Sequence, residues 1–377
     1  MKGGEFRAVD LFCGCGGISS GLRAAGFEII SGVDIDAVPL RSFGVNFPHA
    51  RGLRLDLSVT EPGSLMRKLN LKRGELDLLA GGPPCQGFSK NVPRSRRFLD
   101  DPQNLLVKTF LDYCAALMPR MIFMENVAEM KNGFKRAYTE ELFERLDKIG
   151  YFVSHKNLYA SDFGVPQRRR RAFFIAARDH AAEPEFPAGS HVKPEPPETN
   201  SLKLLLSKEH VNVWDAIGDL PSLAHGEGEE PVGYSAEPFS DFQRIVRNGR
   251  ADVSNHIARK LRPTQYERLA SIKPGEGMKD LPEHLRPKSG YSGAYGRLSK
   301  SMIAPTITRW VFHPGSGRFG HPVDTRVITI REAARLQAFP DSFVFTGTYT
   351  QQSHQVGNAV PPLLAEQVAA SLLAQFS

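Results

Sequence analysis

Over the first 180 positions, short apolar runs alternate with stretches in which apolar residues recur at helical spacing. Ala8-Val9-Asp10-Leu11-Phe12 meets Cys13-Gly14-Cys15-Gly16-Gly17, and Ile18 to Phe27 then follows a helical period, which predicts a strand, a glycine turn and a helix. Phe27 to Val33 reads as a second strand ending in Asp34-Ile35-Asp36, Ala37 to Phe47 as a helix, and Leu53 to Leu57 as a third strand around Asp56. Leu76 to Ala80 is an apolar strand that runs into Gly81-Gly82-Pro83-Pro84-Cys85. Asn104 to Leu117 predicts a helix, Met121 to Met124 a strand, Thr139 to Ile149 an amphipathic helix, and Phe163 to Ala177 a further strand. Repeated strand–helix units of this kind argue for an α/β fold, a mostly parallel sheet with helices on both faces. In such a sheet, ligands sit beyond the carboxyl ends of the strands.

The texture changes after Ala177. Glu183 to Thr199 is dense in Pro and Glu and has no apolar period, as expected of a boundary. Val211 to Val327 is rich in Gly, Pro, Tyr and basic residues and predicts a second, less regular domain. Helical spacing returns at Thr329 to Phe339, with Arg331 and Glu332 early, and at Pro361 to Phe376, where the two prolines could start a terminal helix. The expected division is 1–185, 186–327 and 328–377, with the last part returning to the first domain.

Composition narrows the classes. A chain of 377 residues with 41% hydrophobic and 24% charged positions is rich enough for a sizeable core and too mixed for wholesale disorder. It contains no apolar window of the ~18 residues a membrane helix needs, and Met1 to Val9 lacks a signal-peptide core. A cytoplasmic protein is expected. Four cysteines, Cys13, Cys15, Cys85 and Cys114, make no disulfide framework. Lys plus Arg total 48 against 41 Asp plus Glu, a net charge of +7 that favours a polyanion such as nucleic acid.

Several residues are candidates for chemistry. Gly14, Gly16 and Gly17 at a strand-to-helix turn would let a ligand approach the backbone, with Asp34 one strand later accepting hydrogen bonds from a ribose. The pattern is not G-x-G-x-x-G, so an adenosine ligand there need not carry a pyrophosphate; an ordinary tight turn with a surface Asp is the alternative. Cys13 and Cys15 have no nearby His or Cys pair to complete a metal site. Cys85 follows a buried strand on a rigid Pro-Pro shoulder, and Lys90, Arg94, Arg96 and Arg97 in the next loop would lower its thiol pKa, as a nucleophile requires. Glu125 ends the next strand and would project into the same crevice, with Asn126 holding its backbone. Period-two alternation in Arg168 to Arg171 sends Arg169 and Arg171 to one face.

Together these residues resemble the cytosine-5 DNA methyltransferases, which use S-adenosylmethionine. Asp10 to Gly17, Asp34, Asp56, Gly82-Pro83-Pro84-Cys85-Gln86 and Glu125-Asn126-Val127 match the family's motifs in order. So do Gln167-Arg168-Arg169-Arg170-Arg171, Arg331-Glu332-Ala333-Ala334-Arg335 and Gln355-Val356-Gly357-Asn358-Ala359-Val360. The resemblance implies a Rossmann-like methyltransferase domain at 1–185 and 328–377, and a smaller, loop-rich target-recognition domain at 186–327. It implies a Cys85 thiolate that adds to cytosine carbon 6, Glu125 acting on ring nitrogen N3, and Arg171, supported by Arg169, on the base carbonyl or adjacent phosphate. The base would be flipped out of the duplex.

The implied cofactor contacts are Phe12, Gly14, Gly17, Asp34, Ile35, Asp56, Leu57, Gly82, Pro84, Leu106, Asn358 and Ala359. Implied DNA contacts are Gln86, Ser89, Lys90, Arg94, Arg96, Arg97, Arg297 and Thr306, with Arg297 assigned to a base edge because Arg on guanine is the commonest specific pairing. His256, His313 and His321 are expected to be loop or phosphate-contacting residues, and no metal is expected. Two positions depart from the family pattern: Asp34 stands where Glu is common, and Gln103 stands for an arginine in Asp101-Pro102-Gln103-Asn104. The implied partners are double-stranded DNA and a cognate restriction endonuclease acting on the same site, with a monomeric, compact prokaryotic enzyme expected. Rival readings are a tRNA cytosine-5 methyltransferase, whose Cys-Phe-Thr signature this chain cannot carry after Cys114, a non-catalytic DNA-binding relative, and a nicotinamide-dependent oxidoreductase.

Overall fold

The computed structural model describes residues 6–84, 105–128, 137–178, 183–192, 208–287 and 293–375. The chain divides into two compact units, one of Met1–Tyr159, Arg170–Ala188 and Pro362–Ser377, the other of Ala160–Arg169 and Gly189–Pro361.

The first unit is built on a seven-stranded sheet. Its strands are β1 (Phe6–Leu11), β2 (Phe27–Asp34), β3 (Arg51–Arg54), β4 (Leu78–Gly81), β5 (Met121–Val127), β6 (Phe152–Tyr159) and β7 (Arg170–Ala177), in the order β3-β2-β1-β4-β5-β7-β6. The first five pair in parallel, whereas β7 pairs antiparallel with both β5 and β6. The strand order reverses between β1 and β4, so a crevice opens beyond their carboxyl ends. Buried apolar residues on the central strands, such as Val9, Leu11, Leu79, Ile122, Met124 and Phe174, pack with Phe110 and Leu111 from helix α4 (Leu105–Leu117). Continuous apolar runs are what a sheet covered on both faces requires.

The other helices of this unit are α1 (Gly17–Ala24), α2 (Ala37–Asn46), α3 (Pro62–Leu69), α5 (Ala137–Asp147) and the terminal α11 (Pro362–Ala374). α1 and α11 approach closely at Gly21, where a Cβ would stand 2.5 Å from the Pro362 carbonyl and 2.6 Å from the Ala365 Cβ.

Three local expectations shift. The third strand is Arg51–Arg54 rather than Leu53 to Leu57, because Asp56 turns the chain by accepting the Ser58 N–H. The last predicted strand begins at Arg170, since Ala160–Phe163 forms a 3-10 turn. Helix α3 and strand β6 were not anticipated; α3 has only eight residues and β6 is half-exposed.

The second unit is loop-rich, with helices α6 (Val213–Ile217), α7 (Asp241–Arg247), α8 (Pro263–Ala270), α9 (Ile330–Leu336) and α10 (Tyr349–Asn358). The stretch from Pro362 groups with the first unit and the residues up to Pro361 with the second. Helix α9 is buried along its whole length, and its Arg335 is paired with Asp219 beside α6 and with Asp341 at 2.6 Å. Arg326 pairs with Glu332 at 2.7 Å and Asp324 at 2.9 Å. A unit with few long elements leaves many carbonyls to satisfy, and buried guanidiniums with five donors each supply them. Arg331, for example, donates to the carbonyls of Ser254, Pro340 and Phe343.

Candidate active site and cofactor cradle

In the first unit the chain leaves β1 through Phe12, whose φ of 59° puts a non-glycine residue in the left-handed region. Such strain persists only where the surroundings impose it. Gly14 follows, with no heavy atom within 4 Å of where a Cβ would stand. Asp34, at the end of β2, accepts the backbone N–H groups of Gly14 and Asp36, both at 2.8 Å, which ties the two strand ends together. Burial raises the Asp34 pKa, and those two hydrogen bonds oppose the rise. Ile35 beyond it is 59% exposed. Open space at Gly14, a half-buried acid and an exposed aliphatic face at one sheet edge fit the nucleoside part of S-adenosylmethionine.

Asp10 lies beneath this turn and is fully buried. Its Oδ2 accepts the Ser19 hydroxyl at 2.6 Å, while Oδ1 has no hydrogen-bond partner among the described residues. Burial pushes its pKa up to about 7, against the hydrogen bonds from Ser19. Burial likewise raises the Cys13 and Cys15 thiols, so neither is a reactive thiolate. Asp56 Oδ1 caps its own turn through the Ser58 N–H and hydroxyl, Leu57 is buried, and Leu106 is half-buried in the first turn of α4.

The reactive end is organised by β4, β5 and β7. Glu125 is buried near the end of β5, and Arg171 enters β7 opposite Val127. Arg171 Nε stands 2.9 Å from Glu125 Oε1. Glu125 Oε2 lies 3.6 Å from where a Gly82 Cβ would be, so the carboxylate faces the segment that leads from β4 to Cys85. Asn126 donates to the Pro83 carbonyl at 3.1 Å and accepts its neighbour's N–H, the backbone-holding role expected of it. Gly82 is half-buried and Pro84 exposed. Cys85, Gln86, Ser89, Lys90, Arg94, Arg96, Arg97 and Gln103 lie outside the described residues.

The remaining candidates belong to the second unit. Arg169 is 2% exposed and donates to the carbonyls of Ile307 (3.0 Å) and Gly357 (3.2 Å). It therefore positions two segments of this unit. Thr306 donates its hydroxyl to the Arg168 carbonyl at 2.7 Å. Gln167, unassigned by sequence reasoning, accepts the Ile307 N–H and donates to Gln337 and the Leu336 carbonyl. Asn358 is exposed at the end of α10, followed by half-buried Ala359.

Arg297 requires a correction. It is 7% exposed, and its guanidinium donates to the carbonyls of His321, Ile272, Val323 and Asp324. A fork spent on four carbonyls is not presented to a base edge. His256 bridges Thr329 and the Pro221 carbonyl, and His321 Nδ1 accepts backbone N–H groups, so both are structural.

The sequence pattern of C-5 cytosine-specific DNA methylases matches residues 6–374. The chain belongs to that family. The methylase is 37% identical over 371 residues to the Type II methyltransferase M1.HphI of Haemophilus parahaemolyticus, covering 97% of this chain and 86% of the relative. It is 32% identical over 378 residues to the Type II methyltransferase M.DdeI of Desulfomicrobium norvegicum, covering 96% and 87%. Among solved structures, a DNA modification methyltransferase encoded within an E. coli prophage superposes with a TM-score of 0.77 at 26% identity, covering 99% of both chains. The chain is therefore a DNA (cytosine-5)-methyltransferase. Among the described residues, no helix is long and apolar enough to cross a membrane.

Proposed function

We propose that this methylase modifies cytosine carbon 5 within a short duplex-DNA site, using S-adenosylmethionine and a transient covalent bond from Cys85. The Glu125–Arg171 pair carries the reading, because it sets an acid and a fixed guanidinium beside the segment that delivers Cys85.

Cytosine is a poor carbon nucleophile, so a step that enriches carbon 5 must come first. The Cys85 thiolate adds to carbon 6, and the electron pair of the 5,6 double bond moves toward carbon 5. Glu125 binds and protonates N3, which removes the charge that would otherwise build on the ring. Arg171 holds Glu125 in place and, with its remaining donors, stabilises the base carbonyl. Bound S-adenosylmethionine supplies an electrophilic methyl. Phe12, Gly14, Asp34, Ile35 and Asp56 would hold its adenosine end, with the Asp34 carboxylate placed to accept from ribose hydroxyls. Carbon 5 takes that methyl as its bond to the sulfonium sulfur breaks, then gives up its proton to solvent; the 5,6 double bond re-forms, N3 returns its proton to Glu125, and the Cys85 sulfur leaves with its electron pair. Because neither ring carbon is accessible in a stack, the base is flipped out. The named relatives are Type II methyltransferases, which supports a partner endonuclease on the same site and a cytoplasmic setting.

Labelled methyl transfer to unmethylated genomic DNA, with tRNA in parallel and bisulfite sequencing of the product, tests this. Label in DNA at one short motif is expected. Label confined to tRNA would overturn the reading.

A further inference from the structure

In the second unit, Trp310 is 44% exposed on a turn that follows Thr308. An exposed indole on a fixed turn offers a planar face on which a partner could pack, and its surroundings decide of what kind. The turn is fixed on several sides. Val311 N–H bonds the Thr308 carbonyl at 3.1 Å, and His313 N–H bonds the Trp310 carbonyl at 2.9 Å. The Ser353 hydroxyl donates to the Arg309 carbonyl at 2.9 Å. Gly357 of α10 supports the turn from below, since a Cβ there would collide with the backbone of Thr308 and Arg309. The indole edge rests on His354, with ring centroids 5.0 Å apart.

The surroundings are cationic. The Arg309 guanidinium lies 5.2 Å from the Trp310 ring centroid and is itself exposed. Arg259 lies 4.5 Å over the neighbouring Phe312 ring and donates to its carbonyl. Burial and then Arg259 and Arg262 lower the His313 pKa, while burial and then Arg309 lower that of His354. His354 beside the indole and His313 on the same turn thus both lie near arginine charge. A pre-set aromatic face inside a basic patch has the chemistry of a nucleic-acid stacking platform.

We propose that Arg309 and Trp310 form a DNA-contacting pair, the indole packing on a deoxyribose or on a base left unstacked beside the flipped cytosine, and the guanidinium on the adjacent phosphate. This rests on the DNA-methylase reading above. It also supplies a surface contact in place of Arg297, which is spent inside the unit.

The test compares the full-length wild-type chain with Trp310→Ala, Trp310→Phe and Arg309→Ala. It uses a fluorescent duplex carrying the site that the wild type methylates. Trp310→Ala should weaken duplex binding by about ten-fold or more, Trp310→Phe should retain most of it, and Arg309→Ala should reduce the slope of log affinity against log salt by about one contact. Affinity for S-adenosylmethionine should be unchanged in all three. DNA should quench wild-type tryptophan emission, with the quench lost in Trp310→Phe while Trp214 remains. Wild-type DNA affinity and quenching in variants that still fold would overturn the pair's role alone. Loss of tRNA binding with DNA binding intact would also overturn it. A wild type that methylates no DNA would overturn the reading on which the pair rests, and the pair with it.

Discussion

Arg171 on β7 and Glu125 on β5 meet at 2.9 Å across the antiparallel strand pair where the parallel part of the sheet ends. The antiparallel edge matters because it brings the start of one strand against the end of another, so two side chains distant in sequence converge at the carboxyl end of β4. Both are largely buried, so the pair is rigid and poorly screened.

Disrupting either partner should therefore affect turnover more than binding. Glu125→Gln is expected to lower the methyl-transfer rate by about 10²- to 10⁴-fold, the usual worth of a positioned acid–base group. Arg171→Lys keeps the charge and loses the planar fork, and a drop on the order of 10²-fold is expected. Single-turnover kinetics beside equilibrium DNA and cofactor binding check both.

A different outcome is expected at Arg297. Its guanidinium closes four carbonyls inside the second unit. Arg297→Ala should destabilise the protein by about 2 kcal/mol or more and leave the methylated motif unchanged. Denaturant unfolding and methylation mapping separate this from a base-reading role, in which the motif would relax at one position.

Arg335 is buried between Asp219 and Asp341. Arg335→Met leaves two buried carboxylates with fewer partners and should cost on the order of 3 kcal/mol. The drop in urea midpoint at constant slope reads it directly.

Asp10 predicts a pH dependence. Its folded pKa is raised from 3.8 to about 7, so between those values the folded chain binds more protons than the unfolded chain. Stability from this group is therefore greatest below pH 3.8, falls as pH rises through the window, and is level above it. Three units at ~1.36 kcal/mol each set an upper limit of about 4 kcal/mol. Asp10→Asn should flatten that part of the melting-temperature profile, and an unchanged slope would exclude Asp10 as its source.

How far the sequence disclosed this arrangement depends on the kind of signal. The central strands and the Gly14 turn were legible because burial on both faces forces continuous apolar runs, as at Leu76 to Ala80. Glu125 and Arg171 were legible as motif residues, and strand alternation suggested a face for the arginine. The fate of Arg297 and Arg335 was not, since an arginine that satisfies buried carbonyls looks the same in sequence as one at the surface. The surroundings of α9 were hidden for the same reason: it has an ordinary helical period, and its pairing with Asp219 and Asp341 leaves no mark in the sequence. Trp310 was missed because a lone aromatic in a loop carries no periodic signal.

The most direct test of the central claim is covalent trapping. Full-length protein would be mixed with S-adenosylmethionine and a duplex bearing 5-fluorocytosine at the methylated position, where loss of the carbon 5 proton is blocked. A denaturation-stable protein–DNA adduct is predicted, mapped by mass spectrometry to Cys85 and absent in Cys85→Ser. Failure to trap an adduct under conditions that methylate ordinary DNA, or an adduct that persists in Cys85→Ser, would contradict the account.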